Sequence, residues 1–78
     1  MIMLKKYTFS ILKSEDAPKM INPQCLGEIL LNPDYIISVN QTDHEDFYLI
    51  RLDDKNRAID IYTDYSGWAK IRDFKREG

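Results

Sequence analysis

Three runs rich in β-branched and aromatic residues, "DYIISVN", "DFYLIRLD" and "RAIDIYT", follow one another from Asp34 to Thr63, with only "QTDHE" and "DKN" between them. Loops this short join antiparallel neighbours, so the middle of the chain reads as a three-stranded meander. Strict alternation sends Tyr35, Ile37, Val39, Tyr48, Ile50, Leu52, Ile59 and Ile61 to one face, the predicted core. The opposite face then carries Ile36, Ser38, Leu49, Arg51, Asp60 and Tyr62, more apolar than a solvated face requires.

The flanks are read around this meander. In "IMLKKYTFSILK", Tyr7, Phe9 and Ile11 alternate with Lys6, Thr8 and Ser10, the period-two pattern of a strand with one buried face, and "SEDAPK" breaks it. At "INPQCLGEILLNP", Asn22 is placed to cap a helix and Pro23 to occupy its first position. Leu26, Ile29 and Leu30 recur at helical spacing, and Asn32 and Pro33 end the segment, which predicts a helix of about nine residues. Gly27 argues against it, and a strand from Cys25 to Leu31 is the competing reading. The tail "TDYSGWAKIRDFKREG" reads as a turn at "DYSG" leading to a last strand "WAKIRDF". A helix capped by Asp64, with Tyr65, Trp68, Ile71 and Phe74 or Lys75 in one stripe, is the alternative.

The expected fold is therefore small α+β: an antiparallel sheet of four or five strands with one short helix after the first strand, and an all-β small barrel as runner-up. The 78 residues make a single domain, residues 1–78, of a size that buries about two-thirds of its unfolded surface. Cys25 is the sole cysteine, so no intrachain disulfide supplements the core, which suits a reducing compartment and makes cytoplasmic the default expectation. "MIMLKKYTFS" lacks the apolar run of a signal peptide, and no stretch approaches the roughly 20 apolar residues of a membrane span.

The net charge of −2 conceals an asymmetry. Residues 32–66 hold eight acidic and three basic side chains, a balance of −5, and the remainder five and eight, a balance of +3. "DDKNRAIDIY" fails as a calcium loop: starting at Asp54 places Ala58 and Ile59 where an oxygen ligand and a glycine are needed, and starting at Asp53 places Lys55 at the third position. In "TDHED", His44 with Asp43, Glu45 and Asp46 could in principle hold a divalent ion, but four consecutive residues of a hairpin tip cannot all converge, and a solvated loop is the simpler account. Cys25 has no partner for nucleophilic catalysis and reads as a small packing residue. No catalytic residue, cofactor or metal is implied.

What remains is a binding function. An uncovered sheet face bearing Ile36, Leu49, Asp60 and Tyr62, continued by Asp64, Tyr65 and Trp68, suggests a non-enzymatic protein-binding module of the accessory or inhibitor kind. Its acidic character suits a partner with a basic surface, for instance a nucleic-acid-binding protein, and self-association as a homodimer follows from the same uncovered face. Direct nucleic-acid binding through Lys70, Arg72, Lys75 and Arg76 is the second class, and a small enzyme using His44 a distant third.

Overall fold

The computed structural model describes residues 1–13 and 19–77. Its elements are β1 (Ile2–Leu12), β2 (Lys19–Leu31), a 3-10 turn (Pro33–Tyr35), β3 (Ile36–Gln41), β4 (Phe47–Asp54), β5 (Arg57–Asp64) and α1 (Tyr65–Glu77). The strands form one antiparallel sheet in the order β2-β1-β5-β4-β3. The break read at "SEDAPK" lies, except for Lys19, outside the described residues.

The meander follows from alternation. Ile50 pairs with Ile61 and Leu52 with Ile59, so like faces like across β4 and β5. The strands are joined through Lys55 and Asn56, with φ of 50° and 76°. Positive φ at both central residues is the two-residue hairpin geometry whose twist matches that of the strands, and Asn-Gly adopts it with least strain. Replacing Lys55 by Asn together with Asn56 by Gly is expected to raise stability by about 1 kcal/mol, read as a higher urea midpoint at unchanged slope.

The segment expected to form a helix after the first strand is instead the edge strand β2, paired with β1 from Ile2↔Leu31 to Leu12↔Lys19. Alternation decides it: Ile29 and Leu31 stand opposite Leu4 and Ile2, while Glu28 and Leu30 point the other way. The residues that resembled a helix start serve as irregularities. Asn22, at φ 55°, and Pro23 lie where the register slips opposite Phe9. Leu26 is an extra residue opposite the Lys6–Tyr7 step, followed by Gly27 at φ 110°. Proline is tolerated because β2 is an edge strand, and glycine supplies a backbone conformation that other residues adopt under strain.

The order of strands forces the sheet to curl. β2 and β3 are its two edges, yet they are joined by Asn32 and the 3-10 turn alone. Four strand spacings in a flat sheet would separate them by about 19 Å. A link containing a helical turn, which rises about 2 Å per residue, falls short of that. The edges are therefore drawn toward one another, although they do not pair and the sheet stays open, not a closed barrel. β1 and β5 share a single ladder pair, Tyr7↔Tyr62. Curling brings Leu4 and Leu31 over Ile50, Leu52 and Ile61, and Ile71 of α1 completes this core on the concave side. Each such buried side chain contributes roughly 1.5–3 kcal/mol.

β3 departs from simple alternation. Ile36 pairs with Leu52 and Ser38 with Arg51, so Ile37 is an extra residue and the strand changes face across it. Ile36, expected on the uncovered face, packs on the core, whereas Tyr35 and Ile37, expected in the core, are 60% and 57% exposed.

The tail forms a helix, α1, and not the last strand read from "WAKIRDF". Asp64 Oδ1 accepts the backbone N–H of Gly67 at 3.0 Å, the N-terminal cap that a helix start requires. Gly67, which argued against a helix, packs on Thr63, four residues earlier, at the corner where β5 turns into α1: a Cβ there would overlap Thr63 Oγ1 and stand 3.1 Å from Thr63 Cβ and Cγ2. No helix among the described residues is long and apolar enough to cross a membrane.

Candidate interaction surface

With α1 and the core on the concave side, the convex side of the sheet carries the residues that alternate with the core. Tyr7 lies beside Tyr62 across β1 and β5, and Tyr62 pairs with Leu49 on β4. Four aromatic rings gather here edge to face. Phe9 stands 4.9 Å from Phe47 and 5.3 Å from Tyr62, and Tyr7 stands 4.8 Å from Phe47, with interplanar angles of 72–87°. Such pairs add roughly 0.5–1.5 kcal/mol each beyond their buried area, so the cluster is a rigid platform.

The β3–β4 turn extends this platform. Thr42 Oγ1 accepts the His44 backbone N–H at 3.2 Å and lies 2.9 Å from the His44 carbonyl and 3.0 Å from that of Phe47, cinching the turn. His44 is thereby turned inward, its ring 4.8 Å from Phe47 at 85° and 6.2 Å from Phe9, and it is the half-buried member of an otherwise exposed acidic run. Asp43, Glu45 and Asp46 stay exposed around it. Among the described residues no three metal-ligating side chains converge.

The charged residues of the face are largely committed. Arg51 grips Asp60 with two hydrogen bonds of 2.9 and 3.2 Å, and the guanidinium holds the Asp60 carboxyl below the usual carboxylate range. Asp64 caps α1 with one oxygen and accepts the Tyr7 hydroxyl with the other at 2.7 Å. The hydrogen bond to that carboxylate, then burial and the carboxylate's charge, push the Tyr7 phenol up to about 12 from an ordinary value of 10. A proton held more tightly in the folded state stabilises it fully below pH 10, and the contribution is lost as pH rises from 10 to about 12. In an alkaline absorbance titration, one of the five tyrosines should ionise late, and Tyr7→Phe should abolish that late step.

The residues singled out from the sequence thus separate. Leu49, Asp60 and Tyr62 share the convex face, Asp64 joins it to α1, and Ile36 lies on the core side. Trp68 belongs to the helix: its ring stacks on Tyr48 at 5.2 Å and 15°, the Arg72 guanidinium stands 4.9 Å over it, and Tyr65, exposed, tilts against it at 5.4 Å. Of the basic residues, Lys70 donates to the Met3 carbonyl at 2.9 Å and Arg72 also contacts Asp73, leaving Lys75 and Arg76 exposed in the last turn. Cys25 is exposed on β2. The sequence reading missed Tyr7, Phe9, Phe47 and His44 as one cluster. The alternation of Tyr7 and Phe9 was the available signal, but it does not say which side of the sheet a flanking strand presents.

Comparison with protein-family models, curated proteins and solved structures finds no match to this chain.

Proposed function

We propose that this chain is a non-enzymatic protein-binding module whose contact surface is the convex face of the sheet. The observation that carries the reading is the aromatic platform of Tyr7, Phe9 and Tyr62, set beside Leu49 and bordered by the exposed carboxylates of Asp43, Glu45 and Asp46. Aromatic side chains held rigidly on strands offer large contact area at low entropic cost, the character of interface anchors. The carboxylates at the hairpin tip would steer a partner bearing basic residues around an apolar contact. Asp60, already paired with Arg51, contributes shape to this face more than charge.

Affinity capture from the native lysate, repeated with a folded Tyr62→Ala variant, tests the reading. A protein retained by the wild type and lost with Tyr62→Ala, but kept by Lys75→Glu/Arg76→Glu, is the expected outcome. Retention that depends on Lys75 and Arg76 and disappears after nuclease treatment would instead assign a nucleic-acid interface to α1.

A further inference from the structure

The curled sheet has an open mouth. Beside the Asn32–Tyr35 link, between the end of β2 and the β4–β5 hairpin, lies a groove of about 280 Å³ with Ile29, Leu31, Leu52, Ile59 and Ile61 inside. Met1, Leu30 and Tyr35 line it too, although they are 72%, 54% and 60% exposed, and Asp53 and Asp54 stand at its rim. Arg57 is the ladder partner of Asp54, yet neither rim carboxylate forms an ion pair among the described residues. This is a site with an aliphatic interior and an acidic border, and it lies apart from the aromatic platform.

The chain also carries the complementary object. In the last turns of α1, Phe74 is 40% exposed and is followed directly by Lys75 and Arg76, both exposed and neither in an ion pair among the described residues. Phe74 does not line the groove of its own chain. An apolar side chain with two cations beside it matches an apolar groove with two carboxylates beside it, in both shape class and sign of charge. We propose that two copies of the chain associate reciprocally, each seating Phe74 of α1 in the other's groove with Lys75 and Arg76 set against Asp53 and Asp54. The contact is then a closed two-fold one, which also covers Met1, Leu30 and Tyr35.

The test is a charge exchange read by sedimentation equilibrium across a concentration series. The wild type should dimerise, more weakly as salt rises. Asp53→Lys/Asp54→Lys and Lys75→Glu/Arg76→Glu should each weaken the dimer by about thirtyfold or more, the effect expected of interface hot spots, because each puts like charges together. An equimolar mixture of these two variants should regain dimerisation, since both contacts of the mixed pair then join opposite charges. Phe74→Glu, a change at a partly exposed position that the fold should tolerate, is expected to give a monomer with an unchanged circular dichroism spectrum. A wild type that stays monomeric throughout, or a dimer indifferent to Phe74→Glu and to both exchanges, overturns the proposal. Neither outcome bears on the convex face, whose test uses Tyr62.

Discussion

Ile61→Ala is expected to remove a large share of the protein's stability, whereas Tyr62→Ala, one residue on, is expected to cost much less and to yield a folded protein. Ile61 is 2% exposed, pairs with the fully buried Ile50 and packs in the cluster that includes Leu4, Leu52 and Ile71. Truncating a buried isoleucine costs about 2–5 kcal/mol, through lost burial and the cavity left behind. At the usual yield per residue, a domain of this length has about 4–12 kcal/mol to lose, so the substitution removes a large share of its stability. Tyr62 points to the other side, half-buried against Phe9 on the convex face. Its loss should cost about 1–2 kcal/mol, that of an aromatic contact and part of its burial. Urea midpoints for the two variants settle the comparison. If Tyr62→Ala proved the more damaging, the assignment of faces on β5 would be reversed, and with it the proposed binding surface.

Gly67→Ala should destabilise the protein even though alanine is the better helix former by about 1 kcal/mol. The reason is the close approach of Gly67 to Thr63 where β5 turns into α1. The new methyl group would overlap the Thr63 hydroxyl and crowd the rest of that side chain, which has no exposure into which it could move. Overpacking of this kind costs about 1–3 kcal/mol, enough to outweigh the gain in helix propensity. Thr63→Ala removes the overlapping atoms, so Gly67→Ala should cost less in that background, and the cycle should show a coupling of about 1 kcal/mol or more. Stabilisation by Gly67→Ala in the wild-type background would mean that Gly67 stands farther from Thr63 than the geometry indicates. Thr63 Oγ1 is also buried without a hydrogen-bond partner among the described residues, which makes this contact a tight and partly unsatisfied one.

Several elements were legible because their signals are local. The meander needs only alternation and short loops, and β4 and β5 place Tyr48, Ile50, Leu52, Ile59 and Ile61 on one face as alternation requires. The errors share a different origin. Asn22, Pro23 and Gly27 are irregularities in a strand, and a residue that breaks a strand's regularity resembles one that punctuates a helix. Ile37 is a bulge whose presence changes face assignments at Tyr35 and Ile36, and nothing within "DYIISVN" marks which residue is extra. Gly67 spoke against a helix on propensity alone, and its close approach to Thr63 is visible only once the β5–α1 corner has formed. The aromatic platform was half legible: Leu49, Asp60 and Tyr62 were placed together, but Phe9, Phe47 and His44 come from separate parts of the chain.

The amino-acid sequence by itself determined the local grammar: a β-rich chain, a turn within "DKN" between β4 and β5, the alternation of those strands, and a charge distribution with its acidic excess in the middle. These follow from side-chain period, backbone preference and composition, which act over a few residues. The tertiary structure decided what depends on closing long loops. It chose β2 as a strand because β1 offers it a ladder, and α1 as a helix because Ile71 can reach the core. It also curled the sheet, because the short Asn32–Tyr35 link joins strands at its two opposite edges. That curl separates a filled concave side from an uncovered convex one and leaves the groove at its mouth, since a short link can draw two edges together without giving them the register to pair.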